Sequence, residues 1–216
     1  MSIPNCELEG MSVVLVGSFN PAIFHPSWLA SHGMVREDEA DKAQIQIVSP
    51  EVSSFTTEWL ALQVTRERFQ ASTSDARFFE PLRDLVVSVF TLLEHTPVRQ
   101  MGINRDMHFA CSRDLMNELG DMLAPKPIWQ KALDDPLLET LVMVGKRKRG
   151  EGNRLRVTVQ PSIRVVPGIY IGTNEHFETK DEQSPHKILE LLKGSWEGSQ
   201  RDGRKIADHV LSGLSK

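Results

Sequence analysis

Hydrophobic and polar residues alternate in two stretches of the chain. Between Trp59 and Phe69, the apolar residues Leu60, Leu62 and Val64 fall on one face of a two-residue period. Gln63, Thr65 and Glu67 fall on the other face, and the same period recurs over residues 98–111. Successive side chains of a strand point to opposite faces of the sheet. The period therefore predicts strands with one face in the core and one face in water.

A period of three to four residues, which is typical of helices, occurs elsewhere. The clearest case spans about residues 79–95, and its apolar positions are Phe78, Leu82, Leu85, Val86, Val89, Phe90 and Leu93. Ser112 is a favourable N-cap and begins a second helix that reaches about Leu123. Ser184 opens a final helical region. Because glycine disfavours helix interiors, Gly194 and Gly198 are expected to interrupt it before a separate helix over residues 203–214.

Three more strands are predicted in the second half of the chain, over residues 137–148, 154–162 and 169–178. The first two are joined by Arg-Gly-Glu-Gly-Asn at residues 149–153, a composition typical of a hairpin turn. Together with the helices, these strands predict an α+β fold in which an antiparallel sheet carries helices on one face. We expect residues 1–216 to form a single domain.

The order of the elements contains a weak internal repeat. A strand, Gly17, a helix and Gly33 are matched by a strand, Gly102, a helix and Gly120. Each block is followed by antiparallel strands and a long helix. One interpretation is an internal duplication that gives two pseudo-symmetric β-α-β-β-α halves, about residues 11–96 and 97–216. The alternative is a chance likeness between short units.

Composition and charge exclude several classes of protein. The chain has 216 residues, of which 40% are hydrophobic and 25% charged, so wholesale disorder and collagen-like repeats are excluded. The two cysteines, Cys6 and Cys111, do not make a disulfide scaffold and suit a reducing compartment. No signal-peptide core or membrane-length apolar run is present, so we expect a cytoplasmic protein.

The common catalytic and cofactor motifs are absent from the sequence. There is no Gly-x-Gly-x-x-Gly fingerprint, His-Glu-x-x-His, Cys-x-x-Cys or Gly-x-Ser-x-Gly. The stretch over residues 145–152 is similar to a phosphate-binding loop, but it lacks the Lys-Ser/Thr ending. We therefore predict no cofactor.

The strongest local anomaly is a cluster of positive charge in the predicted hairpin. Residues 146–156 carry a net charge of +5, whereas the whole chain carries −4. Such a hairpin is suited to binding phosphates or an acidic protein. A solvated edge hairpin whose charges block edge-to-edge pairing explains it equally. The candidate binding residues are Lys146, Arg147, Lys148, Arg149, Arg154 and Arg156.

Acidic residues and histidines lie two apart on two predicted strands, and hence on one face of each. The pairs are Asp106 with His108 and His176 with Glu178, and both are ligand types that divalent metals accept. They also suit an acid–base pair. The structural alternative is the water-facing side of an antiparallel sheet. Other residues expected on such a face are Gln63, Thr65, Glu67, Thr158, Gln160 and Asn174.

One part of the chain resembles a known family. The order of several residues in this part is similar to that in a sporadically distributed, uncharacterised bacterial protein family. These residues are Trp59, Leu62 and Val64, then Arg68-Phe69, a helix with Phe-x-x-Leu, and the run Met101 to Asn104. The likeness covers about a quarter of the chain. Members often carry Gly-Leu-Arg-Tyr-Ile-Asn where this chain has only Gly-Ile-Asn, so an Arg-Tyr insert is missing. The resemblance implies a bacterial origin and assigns no site residues.

These observations favour a non-catalytic cytoplasmic binding or adaptor protein. It would dock a macromolecular partner, a protein rather than a nucleic acid, through the polar sheet face or the basic hairpin. The first alternative is a metal-dependent hydrolase in which Asp106, His108, His176 and Glu178 surround the ion, while Arg154 and Arg156 hold an anionic substrate. The second alternative is nucleic-acid binding through the hairpin. Homo-oligomerisation is left open, and no membrane association is expected.

Overall fold

The computed structural model describes residues 4–147, 154–179 and 184–213. Nine strands occur in these residues: β1 (Cys6–Gly17), β2 (Gln44–Val48), β3 (Val52–Thr56), β4 (Ala61–Thr65), β5 (Arg68–Thr73), β6 (Val98–Ala110), β7 (Leu141–Lys146), β8 (Arg154–Pro161) and β9 (Gly168–Glu178). The α-helices in the same residues are α1 (Pro26–Ser31), α2 (Glu37–Asp41), α3 (Phe79–Leu92), α4 (Arg113–Leu123), α5 (Lys126–Trp129) and α6 (His186–Ser212).

The strands form one antiparallel sheet, in the order β2-β3-β4-β5-β1-β6-β9-β8-β7. The predicted α+β class is therefore confirmed. Strands β2 and β7 are the two edges of this sheet within the described residues. In the same part of the chain, no helix is both long and apolar enough to cross a membrane.

The chain divides into two compact units, each assembled from separate stretches. Unit 1 contains Met1–Glu9, Arg105–Asn174 and Gly198–Lys216, and unit 2 contains Gly10–Asn104 and Glu175–Glu197. The single domain and the internal duplication both stay predictions.

The core of unit 2 is built around phenylalanines from β5, α3 and the segment after β1. The ring of Phe90 lies 4.9 Å from that of Phe69 and 5.8 Å from that of Phe19, measured between centroids. Both contacts have the edge-to-face geometry that aromatic pairs prefer. The buried residues of β1 and β4, among them Val13, Leu15, Leu62 and Val64, complete this core.

Unit 1 has its own smaller core. Met107 and Phe109 of β6 and Ile169 and Ile171 of β9 are buried with residues of α4, β8 and α6, which are Leu119, Val159, Ala207 and Leu211. All four strand residues occupy odd-numbered positions, so the even-numbered positions of β6 and β9 point to the opposite face of the sheet. This alternation decides where the polar candidates lie.

Two element predictions are wrong. The strand predicted over residues 59–69 is two strands, β4 and β5, because the chain reverses after Thr65 and pairs Val64 with Phe69. The final region is one continuous helix, α6, rather than two. The glycines are accommodated within it: a Cβ at Gly198 would lie 2.9 Å from the Arg147 guanidinium, so the helix backbone passes close to a side chain there.

Replacing Phe90 by alanine tests the aromatic core of unit 2. We expect Phe90→Ala to lower the free energy of unfolding by about 3–5 kcal/mol, because it removes a fully buried ring and leaves a cavity. The matched control is Leu92→Ala on the same helix, where the side chain is 48% exposed and the expected loss is below about 1 kcal/mol. Urea unfolding measures both; equal losses would contradict this packing.

Candidate functional site

Three of the predicted binding residues lie together on one face of the β7–β8 hairpin. Lys146 pairs directly with Arg154, and Val144 pairs with Arg156. Directly paired residues point to the same face, so Lys146, Arg154 and Arg156 share it. All three are exposed, and none forms an ion pair with another described residue. We call these three side chains the cationic surface; Thr158 and Gln160 continue the same face along β8.

The remaining hairpin cations differ from these three. Arg147 is only 17% exposed, and its Nε atom lies 3.1 Å from Oδ2 of Asp202. It also donates a hydrogen bond of 3.1 Å to the hydroxyl of Ser199. Both partners belong to α6, so Arg147 is engaged inside unit 1. Lys148 and Arg149 lie outside the described residues.

Asp106 and His108 lie on the even-numbered face of β6 in unit 1. The carboxylate of Asp106 accepts a hydrogen bond from the hydroxyl of Tyr170. That hydroxyl lies over Gly172, where any Cβ would collide with it, so glycine is required at this close approach. Burial, together with the bond to Asp106, raises the pKa of Tyr170 above its ordinary value. Asp106 is therefore held by a neutral phenol.

His108 is buried, and its Nδ1 atom lies 2.8 Å from Oγ of Ser162. Ser162 accepts hydrogen bonds from the backbone N–H groups of Arg164 and Val165, at 3.2 and 2.9 Å. Both lone pairs of the hydroxyl are thereby used, so its own proton is donated to Nδ1 of a neutral imidazole. Burial lowers the pKa of His108, the Arg164 cation lowers it further, and Asp106 acts in the opposite direction.

This Ser162–His108 pair has the residue types of a nucleophile and its base. Its geometry indicates a structural role, because Ser162 is buried and its oxygen closes the turn that follows β8. This pair was not predicted from the sequence. The two residues are 54 positions apart and no motif joins them.

His176 and Glu178 lie in unit 2 and pair with each other, with Nε2 of the histidine 2.9 Å from Oε1 of the glutamate. Within the described residues there is no group of three or more His, Cys, Asp or Glu side chains that could hold a metal ion. Of the other polar candidates, Gln63 and Thr65 lie on β4 and Glu67 in the turn after it. Asn174 lies on β9.

A groove in unit 1 is mainly apolar. Leu119 and Gly120 of α4, Leu138, Val159 of β8 and Ile169 of β9 are among the residues that line it. Neither Asp106 nor His108 lines this groove, so the groove is not a substrate cavity for the hydrolase alternative.

The structure also shows an apolar surface on β7 that was not predicted from the sequence. Val142, Met143 and Val144 are all exposed, and Met143 is 60% exposed. Three consecutive apolar residues in a strand place apolar side chains on both of its faces. The unbroken run Leu-Val-Met-Val was the available signal, but it also fits a strand buried on both sides.

Comparison of the chain with models of protein families and with curated proteins gives no match. The resemblance over residues 59–104 stays a prediction.

His108 is expected to make the stability of the protein depend on pH. Because its pKa is lowered in the folded state, the unfolded chain binds more protons as the pH falls through and below 6.5, and stability is lost there. We expect His108→Asn, which retains a hydrogen-bond acceptor but does not titrate, to reduce this loss between about pH 8 and about pH 5. Urea unfolding at each pH measures it. The control, His95→Gln at an exposed site, should keep the wild-type slope; an unchanged slope in His108→Asn would contradict this assignment.

The internal role of Arg147 is tested by removing its carboxylate partner. Asp202→Ala leaves a largely buried guanidinium without this carboxylate, so we expect it to destabilise the protein by about 2 kcal/mol. Asp208→Ala, on the same helix, removes a more exposed ion pair with Arg204 and should cost less than about 1 kcal/mol. Equal costs would show that the Arg147 pair is no more important than a surface pair.

Proposed function

We propose that this protein is a non-catalytic binding or adaptor protein that docks an acidic protein partner through the cationic surface. The observation that supports this most directly is the position of Lys146, Arg154 and Arg156, which share one exposed face and have no acidic partner among the described residues. Exposed cations of this kind raise the association rate with an acidic surface. The free thiols of Cys6 and Cys111 agree with a cytoplasmic location.

A protein partner is favoured because apolar side chains share the face of the cations. Val142 pairs with Thr158 and Val144 pairs with Arg156, so both valines lie beside the cationic surface. Protein interfaces combine apolar contacts with arginine. Nucleic-acid surfaces for single strands instead combine cations with aromatic rings on which bases stack, and no described residue of β7 or β8 is aromatic.

The hydrolase alternative has less support. It requires Asp106, His108, His176 and Glu178 to act on one ion, but Asp106 accepts from Tyr170 and His108 accepts from Ser162. Native mass spectrometry tests it directly. One metal ion per chain that is lost in His108→Asn would favour the hydrolase over the binding protein.

Charge reversal is expected to weaken docking. A photoreactive amino acid at Thr158 captures the partner in a cell extract, and mass spectrometry identifies it. With the purified partner, Arg154→Glu combined with Arg156→Glu should lower the affinity at least about tenfold, mainly through slower association. The matched control, Arg113→Glu with Lys131→Glu, makes the same charge change at exposed residues of unit 1 and should alter the affinity less than about twofold.

Two results would overturn this proposal. Unchanged affinity in the double reversal would show that the cationic surface serves solubility alone. Tight binding of a labelled single-stranded RNA, with affinity that falls steeply as salt rises, would favour the nucleic-acid alternative if no protein is captured.

A further inference from the structure

Strand β7 is an edge strand with few of the usual protections. Among the described residues it is the last strand in the sheet order, so one of its edges pairs with no other described strand, and an edge of this kind presents backbone N–H and C=O groups. Natural edge strands are normally protected by charges, proline or a bulge. In β7 only the final residue, Lys146, is charged, its pairing with β8 is regular over six residues, and Val142, Met143 and Val144 are exposed. Such an edge is suited to pairing with another strand.

The geometry of edge pairing restricts what a second copy can do. Two identical edge strands that pair antiparallel are related by a twofold axis perpendicular to the sheet, so residues directly opposite each other must belong to the same face. An axis at Met143 satisfies this condition. It places Met143 opposite its copy and Val142 opposite Val144 of the second chain. Every central pair is then apolar, and Lys146 lies opposite the uncharged Thr140.

The charges that flank β7 select the antiparallel orientation. The segment that precedes β7 is acidic, because it carries Asp134, Asp135 and Glu139 and no cation after Lys131. The strand itself ends at the basic residue Lys146. Antiparallel pairing brings the acidic flank of one copy beside the basic end of the other. Parallel pairing would instead place like charges together, which is destabilising. Glu139 and Lys146 are both exposed and have no ion pair with a described residue, so both charges are free for this contact.

We propose that the edge of β7 is a self-association surface, on which a second copy of this chain adds its own β7 antiparallel around Met143. The dimer itself does not depend on the proposed function. The consequence of the dimer for docking does depend on the proposed function. A twofold axis perpendicular to the sheet leaves equivalent faces of the two copies on the same side, so both cationic surfaces would face one partner.

The other edge strand is less suited to this role. Strand β2 also exposes apolar residues, Ile45, Ile47 and Val48. Its pairing with β3 is interrupted by a bulge between Ile45 and Ile47, and a bulge twists an edge away from regular pairing. The flanks of β2 also lack an acidic end and a basic end, since one acid, Asp41, and one cation, Lys42, both lie just before the strand.

Sedimentation equilibrium over about 1–200 μM tests the dimer with the intact chain. We expect a monomer–dimer equilibrium in the micromolar range, because one strand pair forms a small interface. Met143→Lys adds a charge at a side chain that is 60% exposed, so the monomer should fold while dimer affinity falls at least about tenfold. Circular dichroism checks the fold. The matched control is Ile45→Lys, at a residue of β2 that is 49% exposed, and it should change dimer affinity less than about twofold.

A wild-type chain that stays monomeric throughout this range would overturn the proposal. So would a dimer that Ile45→Lys dissociates and Met143→Lys does not. Failure of the proposed function gives a different pattern, because Arg154→Glu with Arg156→Glu would then leave partner affinity unchanged. If both proposals hold, this double reversal dimerises but docks poorly, and Met143→Lys still binds the partner as a monomer.

Discussion

Successive side chains of an extended strand point to opposite faces of the sheet, and the candidate site depends on this constraint. In unit 1 it places the apolar residues of β6 and β9 in the core and leaves Asp106, His108 and Tyr170 on the other face. In the β7–β8 hairpin, the same alternation, together with the register of the two strands, places the cations on two different faces. Lys146, Arg154 and Arg156 reach solvent together, whereas the adjacent Arg147 turns to α6.

Burying the Arg147 guanidinium against α6 costs hydration free energy, and residues of α6 offset this loss. A guanidinium loses hydration when it is buried, and that loss is large unless an acid and hydrogen-bond acceptors replace the water. Asp202 supplies the carboxylate and Ser199 the hydroxyl. Gly198 leaves the space that the guanidinium fills. These three residues lie within five positions of one helix, so a glycine that is unfavourable for helix formation alone is favourable in this packing.

The sequence predicts those parts of the fold that local patterns determine. Alternation located β6, helical spacing located α3, and the N-cap hydroxyl of Ser112 does accept a hydrogen bond from Leu115. Features set by contacts between distant residues were missed. The turn between β4 and β5 contains neither glycine nor proline, and its Arg66 and Glu67 carbonyls are bound by Phe19 and Gly17, far away in sequence. The continuity of α6 and the engagement of Arg147 likewise depend on tertiary packing.

Two proposed interactions of unit 1 are coupled through charge. In the proposed dimer, pairing two β7 edges would bring the cationic surfaces of both copies closer. Their mutual repulsion would weaken the dimer, and salt would reduce this effect, because the Debye length is only about 10 Å at 0.1 M. An acidic partner that binds both surfaces removes this repulsion. On these two proposals, partner binding would strengthen dimerisation, and by thermodynamic linkage dimerisation would strengthen partner binding by the same factor. If both proposals hold, the hairpin charges would weakly oppose self-association in the free protein and favour it in the complex, so the edge of β7 and the cationic surface would act together in docking.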